Sequence, residues 1–106
     1  MLARFGPSAW AAFEAAFDCL LERNPDAAER FRDRVLCAIE RLERFPQLGR
    51  YIPEFPDDPC REIIIDPYRF FYFVEGETIW IVAVWHGAQQ AAQPARAPSA
   101  QEDRGP

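Results

Sequence analysis

Lysine is absent from this 106-residue chain, and histidine occurs once, as His86. All twelve basic residues are therefore arginine, and they stand against 17 acidic residues, which gives a formal net charge of −5. The acidic excess lies in residues 51–90, which hold two arginines and seven aspartates or glutamates. Proteins that bind nucleic acids usually carry a basic excess, because contacts with phosphate groups drive their affinity. The charge distribution thus argues against direct DNA binding by this chain.

Cysteine is also scarce, with three residues, Cys19, Cys37 and Cys60, at scattered positions. An odd number does not make a disulfide framework, and tetrahedral zinc sites need close ligand pairs such as C-x-x-C. We therefore expect no metal site and no bound cofactor. The pattern favours reduced thiols in the cytoplasm, with Cys19 and Cys37 acting as small apolar side chains on helices.

Long hydrophobic runs are missing too. The longest apolar run, Ile79 to Trp85, has seven residues, whereas a membrane-spanning helix needs about 20. The chain does not open with a basic segment followed by a long apolar stretch, so we expect neither a secretory signal nor membrane association. The apolar content of 49%, with nine phenylalanines, is nevertheless enough for one hydrophobic core.

Helical signals dominate the first half of the chain. Gly6-Pro7 ends a short apolar stretch, residues 2–5, that is expected to form a strand, and Ser8 is predicted to cap the helix that follows. Asn24-Pro25 predicts a second helix, with asparagine as the cap and proline in the first turn. Pro46 ends that helix, and the short joint between the two makes them an antiparallel hairpin. Apolar residues at helical spacing form the expected core face of the first helix: Trp10, Phe13, Phe17, Leu20 and Leu21.

The second half has the pattern of strands. Turn signals at Asp66-Pro67 and Glu75-Gly76-Glu77 separate apolar runs that follow a proline-rich loop at 51–60. These features predict an α+β domain over residues 1–90, with the order β-α-α-β-β-β and an antiparallel sheet. Residues 91–106, rich in alanine, proline and glutamine, are predicted to be a disordered tail. The predicted strands are Arg61–Ile65, Tyr68–Val74 and Thr78–Trp85, with a brief one at Tyr51-Ile52.

Two stretches within the predicted strands, Phe70–Val74 and Ile79–Trp85, are apolar at nearly every position. Successive side chains of a strand point to opposite faces, so both faces of the sheet need cover. One helical hairpin covers a single face. The other face is left to loops of this chain, to a second copy or to a different protein, and the sequence does not choose among them.

Two long segments carry a family resemblance. They are NPDAAERFRDRVLCAIERLERFPQLGRYIPEF and CREIIIDPYRFFYFVEGETIWIVAVWHG, and over residues 2–90 the chain resembles the RelE/ParE superfamily of toxins from bacterial toxin–antitoxin modules. The matching features are Asn24-Pro25 before Ala27-Ala28, Leu42-x-x-Phe45-Pro46, Gly49-Arg50, Arg61-Glu62, Tyr68-Arg69 with Tyr72, and His86-Gly87. The resemblance implies the fold predicted above and a cognate antitoxin, whose extended C-terminal segment wraps the helices and the sheet. The candidates for the antitoxin contact are Trp80, Trp85, Phe71 and Phe73.

The superfamily contains two mechanisms. RelE-type toxins cut messenger RNA in the ribosomal A site with basic residues clustered on the sheet, whereas ParE-type toxins block DNA gyrase. In-line RNA cleavage needs a base, an acid and cations on the phosphate, and arginine is a poor base because it stays charged. His86 is the one histidine of the chain, and histidine is the residue type that most often serves as a general acid or base. The candidates for catalysis, or else for contact with the target, are Arg61, Arg69 and His86.

Two departures from the nuclease pattern favour the gyrase mechanism. The strand that carries several lysines and arginines in nuclease members reads Ile63-Ile64-Ile65 here. His86-Gly87 is followed by Ala88-Gln89-Gln90, where many relatives have arginine. We therefore expect a gyrase inhibitor rather than an enzyme. A ribosome-dependent endoribonuclease and a degenerate, non-toxic antitoxin-binding module remain the alternatives.

Each candidate residue also has a structural alternative. Arg69 would pair with a neighbouring carboxylate, Asp66 or Glu62, and Arg61 with the acidic loop that precedes it. His86 would cap the end of its strand or accept a hydrogen bond there. If the candidates act together instead, His86 lies beside Arg69 of the paired strand, at the edge where the sheet stops.

Overall fold

The computed structural model describes residues 1–87 and 89–94. Two helices follow a short first strand, and four more strands follow the helices. The predicted α+β class is confirmed, and all five strands agree with their predicted bounds to within one residue. The elements are β1 (Leu2–Phe5), α1 (Pro7–Arg23), α2 (Pro25–Arg44), β2 (Arg50–Tyr51), β3 (Arg61–Ile65), β4 (Tyr68–Glu75) and β5 (Thr78–His86).

The five strands form one sheet in the order β1-β5-β4-β3-β2. Neighbours from β2 to β5 are antiparallel, as predicted, but β1 lies parallel to β5, so the sheet is mixed. The helical hairpin separates β1 from the rest of the sheet in sequence, which allows β1 to join the far edge in the same direction as β5. The free side of β1 is protected, because the Ala3 N–H donates to Glu43 Oε2 at 2.8 Å.

The two helices begin at their prolines, but their caps differ. Asn24 caps α2 as predicted, with its Oδ1 accepting a hydrogen bond from the Ala27 N–H at 3.1 Å. The prediction for Ser8 is wrong, because Gly6 is the N-cap of α1 and Pro7 occupies the first turn. Proline needs no amide partner there, so helix entry is fixed without a side-chain cap.

The helices cover the inner face of the sheet, which we define as the face that carries Phe70 and Tyr72. The first-helix aromatics form a chain of ring contacts that reaches Phe31 of α2, although Trp10 itself stays 46% exposed. The helical cysteines were wrongly expected to fill the core, because Cys19 and Cys37 lie on solvent-facing sides. The buried residues of this core are Ala9, Phe31, Val35, Leu42, Ile63, Ile65, Phe70, Tyr72, Ile79, Ile81 and Val84.

The opposite, outer face of the sheet is covered by the chain itself. A second buried cluster joins Ile52 and Cys60 of the β2–β3 loop to Phe71 of β4 and to Ala91. Partly buried Phe55, Phe73, Val82, Ala83 and Trp85 pack against it. Of the covers left open by the sequence, the loop between β2 and β3 is the one observed, and the segment after β5 adds to it.

The first residues of the expected tail belong to this cover. Ala91 is 8% exposed, and Gln93 Nε2 donates to Asp58 Oδ2 at 3.1 Å. The expected boundary between domain and tail at residue 90 therefore falls within a packed segment. The small apolar side chain of Ala91 is enough to pack in the cluster around Phe71. Residues 95–106, which the same expectation includes, lie outside the described residues. Neither helix in the described part of the chain has the length and hydropathy of a membrane span.

Candidate functional site

Arg69 lies on the outer face, where carboxylates hold its whole guanidinium. Its Nε donates to Glu62 Oε1 at 2.7 Å, and Nη1 and Nη2 donate to the two oxygens of Glu54 at 2.7 Å each. The guanidinium also lies 5.2 Å from the ring centroid of Phe71, and the side chain is 12% exposed. The expected pairing with Glu62 is observed, that with Asp66 is not, and Glu54 is an additional partner.

Glu62 is the centre of this arrangement, with a side chain that is 0% exposed. It accepts a second hydrogen bond at 2.7 Å from Arg50 Nε. A buried carboxylate is tolerated only when its charge and lone pairs are matched, and two arginines do so here. We call Arg50, Glu54, Glu62 and Arg69 the outer-face ion network. It ties three strands and the β2–β3 loop together.

The network shifts the protonation equilibria of Glu54 and Arg69. The hydrogen bonds from Arg69 lower the pKa of Glu54 from 4.5 to about 2. The hydrogen bond to Glu54 in turn raises the pKa of Arg69. Both groups are therefore charged throughout the physiological pH range, and Arg69 has no capacity to act as a base.

Arg61 lies on the inner side of β3, opposite Tyr72 in the register. Its Nη1 donates to the Gly49 carbonyl at 2.9 Å and its Nη2 to the Tyr51 hydroxyl at 3.3 Å. The guanidinium lies 4.3 Å from the ring centroid of Tyr51, whose side chain is 53% exposed. These contacts, rather than the acidic loop at 57–58, are the partners of Arg61. We call Tyr51 and Arg61 the stacked pair.

Tyr72 is a core residue, and it fixes the turn that precedes the stacked pair. Its hydroxyl donates to the Pro46 carbonyl and accepts from the Gly49 N–H, both at 2.8 Å. Burial raises the pKa of the Tyr72 phenol. A Cβ on Gly49 would lie 2.7 Å from Tyr72 Cε1 and 2.5 Å from the Glu62 carbonyl oxygen. Glycine is therefore required here by close approach.

His86 ends β5 and faces the inner side. It stands opposite Tyr68 in the register, and the two rings meet edge to face at 5.3 Å between centroids. Its backbone N–H donates to Gln89 Oε1 at 2.7 Å. The imidazole thus belongs to the exposed end of the inner face, where α2 and β4 also meet.

Arg69 and His86 do not form one site. Arg69 stands opposite Trp85, one position from the His86–Tyr68 pair, so the two side chains point to opposite faces. The cause is a register shift between Phe71 and Tyr72, a β-bulge on β5 that adds one residue. An unbroken hairpin register from the β4–β5 turn would place both side chains on the same face, which is the arrangement expected from the sequence.

The four aromatic candidates for the antitoxin contact lie mostly inside. Phe71 is 0% and Trp80 is 8% exposed, while Phe73 and Trp85 are partly buried under the β2–β3 loop. Trp85 Nε1 is buried and lacks a hydrogen-bond partner in the described part of the chain. Phe71, Phe73 and Trp85 serve the outer-face core in this conformation.

Exposed apolar side chains lie elsewhere, near the end of α2 and along the edges of the sheet. Phe45, 60% exposed, follows the end of α2. Because the helix ends at Arg44, the phenylalanine turns away from the core. It lines a cavity of about 670 Å³ together with Met1, Arg44, Pro46, Gln47, Leu48 and Val74.

Two further expectations concern chemistry. No group of three or more histidine, cysteine, aspartate or glutamate residues that could hold a metal ion occurs among residues 1–87 and 89–94. Ala88, the first residue of the stretch where many relatives have arginine, lies outside the described residues. The described residues therefore place Arg69, bonded to two carboxylates, on the outer face, and the exposed stacked pair at the β2 edge.

Comparison with known proteins places the chain in a family. Residues 3–91 match the family model of the ParE toxin of the type II toxin–antitoxin system parDE. The fold is similar to a solved chain of the chromosomal ParDE system of P. aeruginosa, with a TM-score of 0.65 and 18% identity, over 81% of this chain and 95% of that one. No curated protein matches significantly. The chain belongs to the ParE family of toxins of type II toxin–antitoxin systems.

Proposed function

We propose that this protein is the toxin of a type II toxin–antitoxin module, that it inhibits DNA gyrase by direct protein contact, and that a cognate antitoxin neutralises it. The family match over residues 3–91 supports the toxin role, and the ParE-type branch of the superfamily is the one that blocks gyrase. The similar P. aeruginosa chain comes from a ParDE system, which supports an antitoxin partner. The cytoplasm is the proposed location, since three unbridged thiols are typical of a reducing compartment.

The observation that carries the proposal is the separation of the basic candidates. A nuclease site must bring a base, an acid and phosphate-binding cations within reach of one phosphate. Here the donors of Arg69 are bound to two carboxylates, and His86 faces the other side of the sheet. Protein binding needs no such cluster, and the geometry favours it over RNA cleavage.

The stacked pair is the surface that we propose for the gyrase contact. Tyrosine and arginine are the residue types that most often contribute large binding free energies in interfaces. The Gly49 carbonyl holds Arg61 in place, and the ring of Tyr51 stays half exposed beneath the guanidinium. A preorganised aromatic–cation pair loses little side-chain entropy on binding. His86, at the opposite end of the sheet, remains a second proposed contact.

Two assays with the purified full-length chain test the proposal. We expect inhibition of DNA supercoiling by purified gyrase, and no cleavage of messenger RNA at the A site in a translation extract. Message cleavage without gyrase inhibition would overturn the proposal in favour of a ribosome-dependent nuclease. Inactivity in both assays, with intact antitoxin binding, would leave a non-toxic binding module.

A further inference from the structure

Part of the β3 edge of the sheet is open within the described residues. β3 contains five residues, but β2 pairs with only two of them, at Glu62 and Arg61. The stretch from Ile63 to Ile65 therefore has β4 on one side and no strand on the other side in the described part of the chain. The other edge of the sheet differs, because Glu43 accepts the outward N–H of β1.

The backbone of Ile64 points to this open side. The carbonyl oxygen of Glu62 lies 2.5 Å from the position of a Cβ on Gly49, so the peptide groups of Glu62 face β2. Peptide direction alternates along a strand, so Ile64, two residues on, presents its N–H and C=O to the same side. The Ile64 side chain is 54% exposed. An edge with unpaired backbone groups and an exposed apolar side chain is a template for a further strand.

A groove between α2 and β3 runs along this edge. It consists of two adjoining cavities of about 490 and 340 Å³, which share Ala38, Arg41 and Ile64. The larger cavity also has Arg34, Asp33 and Asp66, and the smaller one has Arg50 and the buried Glu62. Because Glu62 is neutralised by Arg50 and Arg69, the smaller cavity presents a net positive charge on an otherwise acidic protein.

We propose that this open edge binds an extended segment of the antitoxin as a sixth strand beside β3. The segment would hydrogen-bond to the Ile64 backbone, place an apolar side chain on Ile64 and direct acidic side chains at Arg41 and Arg50. This inference rests on the proposed function, which supplies the antitoxin. A second copy of the toxin fits less well, since two-fold pairing of two such edges would bring their arginines together.

Amide hydrogen exchange tests the inference directly. The probe is the product of the reading frame that adjoins this gene, purified as a complex with the full-length toxin. We expect exchange at the Ile64 amide to slow at least about tenfold in the complex, as for an amide that gains a stable hydrogen bond. The Ile63 amide, which faces β4, should change little and serves as the internal reference.

A matched pair of substitutions gives an independent readout. Ile64→Pro removes the outward N–H at an edge position where proline is tolerated, whereas Ile64→Thr keeps the N–H and the β-branched shape. We expect the proline variant to bind the antitoxin about 10 to 100 times more weakly, with the threonine variant within a few-fold of wild type. Arg41→Glu should also weaken binding, and Arg32→Glu, which changes an exposed arginine outside the groove, should not.

The outcomes separate this inference from the proposed function. If no antitoxin binds the wild-type toxin, the proposed function fails, and this inference fails with it. If the complex forms and Ile64 exchanges as in the free toxin, this inference alone is overturned. Concentration-dependent protection of Ile64 in the toxin alone would identify a second copy as the occupant, and would also overturn it. The exchange measurement on the wild-type chain decides the question even if Ile64→Pro does not fold.

Discussion

The two faces of the sheet are stabilised by different physical interactions. On the inner face, aromatic and aliphatic side chains of the helices pack on Phe70 and Tyr72, and none of the ion pairs among the described residues lies there. On the outer face, a proline-rich loop is held by four charged side chains around one buried carboxylate. The inner face should therefore tolerate changes of pH, whereas the outer face should respond to the loss of any member of its network. Arg69, one of the basic residues that suggest catalysis in the sequence, is used to hold this loop.

The largest effect is expected from Glu62→Ala, because it leaves two arginine side chains without their buried partner. The change removes two charge-assisted hydrogen bonds, each worth about 1.5–3 kcal/mol, and the loss is measured as the free energy of unfolding in urea. Glu29→Ala, at an exposed position of α2, should change stability by less than about 0.5 kcal/mol. Hydrogen exchange should accelerate in the β2–β3 loop before it does in α2. Equal acceleration in both regions would contradict the distinction between the faces.

A smaller effect is expected from Gly49→Ala, where the two faces meet. The new methyl group would lie 2.5 Å from the Glu62 carbonyl oxygen and 2.7 Å from the Tyr72 ring, so backbone or ring must shift. Overpacking of this kind costs about 1–3 kcal/mol. Gly87→Ala, whose Cβ would lie 3.1 Å from the Pro67 carbonyl oxygen, is the milder control. Thermal unfolding of both variants measures the difference, and an unchanged melting temperature for Gly49→Ala would refute the tight contact.

The smallest effect is expected in the pH dependence of stability. The pKa of Glu54 is lowered from 4.5 to about 2 in the folded protein, so its pairing stabilises the fold above pH 4.5. That contribution is lost as the pH falls from 4.5 through 2. Because Glu54 is nearly half exposed, the effect stays below about 1 kcal/mol. Melting temperatures between pH 7 and 2 should fall less steeply for Glu54→Gln than for wild type, and parallel curves would exclude the pairing.

Local signals in the sequence account for most of the fold. The Asn24-Pro25 pair defines the start of α2, and the turn signals at 66–67 and 75–77 define the strands that flank them. These features act over a few residues, through caps and turn geometry. The start of α1 shows the limit of such reasoning, because Gly6 and Ser8 are both acceptable caps and only the observed helix start distinguishes them.

The site was less predictable because it depends on register. A single β-bulge on β5, opposite Phe71 and Tyr72, moves the following β5 side chains to the other face relative to β4. It therefore separates His86 from Arg69. The main partner of Arg69 is Glu54, 15 residues earlier in a loop, and no local pattern connects the two. The cover of the outer face could not be predicted for a similar reason. It depends on where the β2–β3 loop packs, and the residues of the loop alone do not determine that.

The central claim is that Arg69 supports the fold while the stacked pair contacts gyrase. The most direct test compares Arg69→Ala with Tyr51→Ala in a gyrase supercoiling assay, at a temperature where both variants are folded. The account predicts that Arg69→Ala lowers the melting temperature but inhibits gyrase fully per folded molecule. Tyr51→Ala should keep its melting temperature and lose at least about tenfold in inhibition. The claim would be contradicted by a folded Arg69→Ala that no longer inhibits gyrase, together with a Tyr51→Ala that inhibits it as well as wild type.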